Sequence, residues 1–298
     1  MKKLLAMGLA VIMTAVTVCG CGSSDNTAGD TGNNNADSGN EVKQAVKVID
    51  VDLTDEKYAF GVDKDKPELL KAANEFIKEI QQNGKFDEIC NKYFSNGEPT
   101  AVQSAELDSS KDQLVVATNA SFEPFEYTKG KDYYGIDMEV AAAFAEKLGK
   151  ELVIQNMDFD AVCLSVGQHK SDVAMAGLTI KESRKKYVEF SDSYYSASQR
   201  LIVKGDNTEF DACKDAASVE KILKTKDKGV KIGVQNGTTG KQYCEGDKEM
   251  EFAGLNVTTI GYKNGSLAVQ DLMNGNLDYV IIDAAPAKCI TDAMNKMQ

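Results

Sequence analysis

The sequence predicts an α/β protein built as two lobes. Two observations carry this: short aliphatic strands alternate with amphipathic helices twice over from Leu114 to Lys296, and 298 residues suffice for two ordinary domains. A composition 42% hydrophobic and 27% charged is that of a globular chain.

The first half of the alternation opens with strand Leu114-Val115-Val116-Ala117. A helix follows over Ile136 to Leu148, with Ile136, Val140, Phe144 and Leu148 at helical spacing and Gly149 as its stop. Strand Leu152-Val153-Ile154, a helix around 161–166 and strand Val173 to Ala176 complete it. After Leu201-Ile202-Val203 the pattern restarts: helix 215–226, strand Val230 to Val234, a helix from Thr238, strand Val257 to Ile260, helix 264–273, strand Tyr279 to Ile282 and a last helix to Lys296. Mainly parallel sheets are expected. Ahead of this, Val46 to Val51 and Tyr58 to Val62 read as strands. Pro67 starts a helix to Gln82, and Gly84 starts another to Phe94. Ser95 through Asp112 is polar and reads as an inner linker.

The front of the chain is of another kind. Lys2 and Lys3 precede an uncharged apolar run of 15 residues, Leu4 to Val18. That is short of the ~20 residues a membrane span needs and fits the core of a signal peptide. Val18-Cys19-Gly20-Cys21 resembles a bacterial lipobox, with Cys21 the better acceptor because Gly20 precedes it. Residues 1–20 are then a lipoprotein signal peptide and Cys21 the lipidated anchor to the bacterial cell membrane, two acyl signals giving stable attachment; a plain secretory signal is the alternative. Residues 21–45, rich in Gly, Ser, Asn and Asp, read as a flexible tether.

Basic and acidic residues number 34 and 46, a net charge of −12, and losing Lys2 and Lys3 takes it to −14. Nucleic-acid binding is excluded on that charge. The remaining cysteines, Cys90, Cys163, Cys213, Cys244 and Cys289, show no metal or redox spacing; a Cys213–Cys244 disulfide and isolated buried thiols both stay open. His169, the one histidine, reads as exposed surface in a helix-ending turn. No metal and no cofactor are implied.

Several motifs in order carry a resemblance: Ala117-Thr118-Asn119-Ala120-Ser121-Phe122-Glu123-Pro124-Phe125-Glu126-Tyr127, Gly135-Ile136-Asp137-Met138, Met157 to Asp160, Ala176-Gly177-Leu178-Thr179-Ile180-Lys181-Glu182-Ser183-Arg184, Val188 to Tyr195, Gly233 to Gly240 and Asp278 to Asp283. Together they resemble the polar-amino-acid-binding proteins of bacterial ABC importers (solute-binding protein family 3). The resemblance implies a two-lobed periplasmic-binding-protein-like (type II) fold. It also implies an extracytoplasmic monomer that captures a small amino acid, glutamine-like or basic, for an ABC permease and its ATPase.

In that family the Asp283-type strand is followed by a return strand and two closing helices, whereas here the resembling piece, Val46 to Phe94, stands at the front. A circular permutation is therefore expected, with 95–112 joining the family's usual end to its usual beginning; about 18 residues reach ~60 Å when extended. One lobe would comprise 57–94 plus 113–204, the other 46–56 plus 205–298, hinged near Lys204-Gly205 and Glu56-Lys57.

The site residues follow from the same resemblance. A ligand zwitterion needs a partner for each charge in a closed cleft. Arg184 matches the carboxylate-binding arginine, with a planar fork for both oxygens. Thr179 would add a hydroxyl and N–H, and Gly177 a carbonyl for the ammonium. Thr238 and Thr239 open a helix whose N-terminus suits a carboxylate. Asp283, at the carboxyl end of its strand, matches the ammonium partner, with an N-cap as its plain alternative. Phe122 and Phe159 match the aromatics that sandwich the ligand side chain, and Phe125 is read as core. Asn119 stands where relatives often carry Asp, which tilts the expected ligand toward glutamine, although Glu123 could restore a charge nearby. Some relatives are dehydratases and others sensory binding proteins, so both remain alternatives; with no catalytic residue in view, an enzyme is not expected.

Overall fold

The computed structural model describes residues 44–95 and 97–297. The signal peptide, Cys21 and nearly all of the tether lie outside the described residues. Among those described, no helix is long and apolar enough to cross a membrane.

In chain order the elements are β1 (Val46–Val48), β2 (Glu56–Tyr58), β3 (Gly61–Val62), α1 (Pro67–Gln82), α2 (Lys85–Phe94), β4 (Gln113–Thr118), β5 (Ser121–Phe122), β6 (Glu126–Lys129), β7 (Asp132–Tyr134), α3 (Ile136–Leu148), β8 (Glu151–Asn156) and α4 (Phe159–Gly167). They continue with β9 (Val173–Ala174), α5 (Glu182–Lys185), β10 (Glu189–Phe190), β11 (Tyr195–Ala197), β12 (Gln199–Lys204), α6 (Ala216–Leu223), β13 (Lys231–Gln235), α7 (Thr239–Glu245), β14 (Thr258–Tyr262), α8 (Gly265–Met273), β15 (Tyr279–Asp283) and α9 (Ala284–Lys296).

Two five-stranded sheets organise the chain, in the orders β10-β3-β9-β4-β8 and β1-β12-β15-β13-β14. Each has a parallel heart of three strands: β4 between β8 and β9, and β13 between β14 and β15. The other two strands of each sheet are antiparallel, a departure from the mainly parallel expectation. Of those strands β3 and β12 follow the passages of the chain from one lobe to the other, and they enter without the crossover helix that parallel pairing requires.

The helices bury the stripes their sequences predict. Helix α1 starts on Pro67 and turns Ala73, Phe76, Ile77 and Ile80 inward. Helix α3 presents Ile136, Val140 and Phe144 and ends at Gly149 in the left-handed region. Phe144 stacks on Phe76 at 5.0 Å and closes the first lobe's core. In the second lobe Ile49, Val51, Leu201, Val203, Ile232, Val234 and Ile281 pack together under α6 and α7.

Three expectations are corrected. Residues 199–204 are not part of the first lobe: β12 is the second strand of the second lobe's sheet, paired with β1 and β15. The chain therefore crosses between lobes not at Lys204-Gly205 but at β11, which pairs only with β2 in a two-stranded ribbon. Residues 97–112 form a bound strap rather than a free linker. Val102 exchanges two backbone bonds with Tyr133 and is buried against Met138 and Ile154, and the Ala105 N–H donates to the Leu152 carbonyl. Of the two readings left open for Cys213 and Cys244, the structure has isolated thiols, Cys244 buried and Cys213 half-buried.

Candidate functional site

The site residues stand where strands end at the seam between the sheets. Arg184, in the short helix α5, is buried to 8% exposure in spite of its charge. Its Nη1 donates to the Thr179 carbonyl at 2.7 Å, and its Nη2 donates across the seam to the Gly237 carbonyl of the second lobe at 3.1 Å. The guanidinium lies over the Phe159 ring, 5.1 Å from its centroid. Burial lowers the guanidinium pKa, while Glu56 and Asp283 act to raise it again.

Opposite stands Asp283, at the end of β15 and 4% exposed. Its carboxylate does not cap α9; it accepts the Tyr58 hydroxyl at 2.5 Å. Asp283 is the N-cap residue of α9 by position, as its plain alternative has it, but its side chain makes no capping hydrogen bond. Burial, then the nearby Glu56 carboxylate, push Asp283 up to about 7. A cavity of about 210 Å³ opens beside Asp283 and Tyr58, lined also by Phe125, Tyr195, Ser198 and Arg200.

Between the two charges sits Glu56, which the sequence reading did not single out. It is 4% exposed and accepts four side-chain donors: Thr54 Oγ1 at 2.7 Å, Thr179 Oγ1 at 2.7 Å, Thr239 Oγ1 at 2.8 Å and Gln199 Nε2 at 3.0 Å. Thr179 comes from the first lobe, and Thr239 and Gln199 from the second. The hydroxyls of Thr179 and Thr239, expected to face a ligand, are directed at this carboxylate instead, because a buried charge must be hydrogen-bonded. The Thr238 hydroxyl donates to the Gln235 carbonyl at 2.8 Å.

The remaining expected residues are close by. Gly177 adopts φ +51°, and its N–H donates to Asp137. An added Cβ there would stand 2.9 Å from Phe122 Cε1 and 3.2 Å from Tyr58 Cε2, so the glycine admits both rings. Phe122 is buried and stacks on Phe125, which is core as expected, at 6.2 Å. Asn119 donates to the Met157 carbonyl at 2.7 Å and accepts Gln235 Nε2 from the other lobe at 3.0 Å. Glu123 is exposed, outside this buried group. Lys181, 4% exposed, reaches Asp247 at 2.9 Å and Glu249 at 3.5 Å across the same seam. These contacts hold the lobes closed on one another. His169 is exposed, as expected, at φ +58°, with Nδ1 2.8 Å from Asp63 and Nε2 3.6 Å from Asp65.

Glu56 was missed because Thr54-Asp55-Glu56-Lys57 reads as a polar turn; only the fold buries one of its acids. Tyr58 carried a signal, alternation within an apolar strand, but not a role.

The profile of bacterial extracellular solute-binding proteins, family 3, matches residues 114–285. The arginine-binding extracellular protein ArtP of Bacillus subtilis (strain 168) is 36% identical over 135 residues, 45% of this chain and 50% of that protein. The arginine-binding periplasmic protein of Mannheimia haemolytica is 31% identical over 172 residues, 57% and 63% of the two chains. Among solved structures, an ancestral arginine-binding protein bound to arginine is 36% identical with a TM-score of 0.51, covering 61% of this chain and 75% of its own. The ancestral amino acid-binding protein AncCDT-1, a precursor of cyclohexadienyl dehydratase, is 29% identical with a TM-score of 0.52, covering 61% and 74%. The chain spans from 40% to 65% of the length of the curated relatives it matches.

Proposed function

Because the chain belongs to the bacterial extracellular solute-binding proteins of family 3, we propose that its cleft captures a free amino acid, arginine in the first place, and delivers it to the permease and ATPase of an ABC importer. One observation carries this: a guanidinium of one lobe and a carboxylate of the other are buried at a single seam, Arg184 and Asp283, each within electrostatic reach of Glu56. A zwitterion presents the complementary pair, its carboxylate to Arg184 and its ammonium to Asp283. Phe122 and Phe159 flank the ligand side chain, with Asn119, Gly177, Thr179, Thr238 and Thr239 at the rim.

The charge count favours a cationic side chain over the glutamine suggested by Asn119. Glu56 is bonded to neutral donors only, which satisfy its oxygens without cancelling its charge. A zwitterion neutralises Arg184 and one carboxylate; the second leaves a negative field for a guanidinium or ammonium. The names of the relatives point the same way, and as binding proteins they support capture rather than catalysis.

We further propose that the chain is a circularly permuted member of the family. Supporting this, residues 46–94 supply β1 to one sheet and β3 to the other, while the family match begins only at residue 114 and leaves about a quarter of the solved relatives uncovered. The lipobox-like Val18-Cys19-Gly20-Cys21 supports attachment to the bacterial cell membrane through Cys21.

Calorimetric titration with arginine, lysine, ornithine, histidine and glutamine tests the assignment. Arginine is expected to bind most tightly. Arg184→Ala removes about two charge-assisted hydrogen bonds of ~1.5–3 kcal/mol each, weakening binding roughly 100- to 10,000-fold. Lys147→Ala, whose side chain pairs with Glu79 on an exposed helix surface, is expected to leave affinity unchanged. Undiminished affinity in Arg184→Ala would overturn the site; no binding of any of the five would overturn the function.

A further inference from the structure

Glu126, the first residue of β6, is completely buried, and neither of its carboxylate oxygens has a hydrogen-bond partner. The charged groups facing it are both carboxyls. Asp137, from α3, is taken up by the Gly177 N–H and the Tyr194 hydroxyl. Asp283, from the end of β15, holds the Tyr58 hydroxyl. Further along α3, Glu139 is committed to Lys92, Tyr93 and the Thr100 N–H. The strand beside β6 contributes Phe122, opposite Glu126 in register, and the preceding residue, Phe125, packs edge-on against Tyr58.

An ionised carboxylate in such surroundings would lack solvent, counter-ion and donor at once, and would face two like charges; a group so placed keeps its proton. Burial, then Asp137 and Asp283, raise Glu126 well above the usual carboxylate range. Glu126 and Asp137 belong to the first lobe and Asp283 to the second. Asp137 thus faces Glu126 within one lobe, whereas the approach of Asp283 belongs to the arrangement clamped by Arg184–Gly237, Gln235–Asn119 and Lys181–Asp247.

We propose that Glu126 is a proton-carrying positioning residue: closure of the lobes on the amino acid draws one proton from solvent onto its carboxyl, so that affinity falls as pH rises. The proposal rests on the amino-acid-binding reading. A neutral Glu126 lets the lobes close on Asp283 without an unpaired charge beneath it; an ionised one opposes closure.

Two measurements test it on the full chain. In arginine-saturated protein carrying ¹³C at the glutamate side-chain carboxyl, one resonance is expected at the protonated position at pH 7, to move toward the ionised position in the free protein, and to be missing from Glu126→Gln. Titration with arginine in buffers of different ionisation heat is expected to show more proton uptake by the wild type than by Glu126→Gln, the difference approaching one proton, with the affinity of the variant falling less steeply as pH rises. Absence of the protonated resonance, or equal proton uptake by the two proteins, overturns the proposal. If no amino acid binds, the functional reading fails by itself; a Glu126 carboxyl as fully protonated in the free protein as in the bound one overturns uptake on closure.

Discussion

Replacing Glu56 by alanine removes an acceptor shared by both lobes. Four donors point at it, but they are not equally stranded by its loss. Gln199 Nε2 also donates to Thr239 Oγ1 at 2.9 Å, and the Thr54 hydroxyl is only half-buried and can turn its proton to water. The Thr179 and Thr239 hydroxyls are left without an acceptor in a buried place. At ~1–3 kcal/mol for each unsatisfied donor the loss is about 2–6 kcal/mol, reduced because removing a buried charge also returns its desolvation cost, which leaves roughly 2–4 kcal/mol. For a chain of this size that lowers the melting temperature by about 5–15 °C. Glu56→Gln keeps one carbonyl oxygen and is expected to fall between wild type and Glu56→Ala. Scanning calorimetry of the three proteins, free and with arginine, reads both effects, since the same carboxylate joins Thr179 of one lobe to Thr239 of the other and its loss also loosens the closed form. A Glu56→Ala protein melting within a degree of wild type would refute the role of Glu56 as an internal acceptor.

Two further outcomes are expected. Gly177→Ala sets a Cβ 2.9 Å from Phe122 at φ +51°, costing ~1–3 kcal/mol from left-handed strain and overpacking, so the urea midpoint should fall and arginine affinity with it; an unchanged midpoint would show that the two rings yield freely. His169 has its pKa raised by Asp63 and then Asp65, so its stabilising effect is present below the ordinary histidine pKa and lost as pH rises through the raised value. The stability gap between wild type and His169→Gln should therefore be wider at pH 5.5 than at pH 8.5, and equal gaps in urea unfolding would remove the histidine–carboxylate pairing from the account.

The helices were legible because their periodicity and stops are local. Ile136 to Leu148, bounded by Gly149, and Pro67 to Gln82 carry their own limits. The hairpin of β5, β6 and β7 was not, because Tyr127, Tyr133 and Tyr134 among Lys and Glu give no alternation long enough to register. Leu201-Ile202-Val203 announced a strand but not its sheet, since membership depends on β1 and β15, more than 75 residues away in either direction. Arg184 and Asp283 were found through motif context; as bare residues they read as a surface cation and a helix cap. Glu56, Gln199, Gln235 and Glu126 were out of reach because their chemistry comes from burial, and burial is decided by the packing of distant segments.

The placement of β1 has a mechanical consequence. The chain enters at Ala45, whose N–H donates to the Asn295 side chain near the end of α9 and whose carbonyl accepts the Gly205 N–H beyond β12. A pull applied at that point is borne by the second sheet and its final helix, not by the β2–β11 ribbon. The second lobe then acts as the fixed jaw and the first as the moving one, so that force at the entry point leaves the stroke of the clamp unloaded.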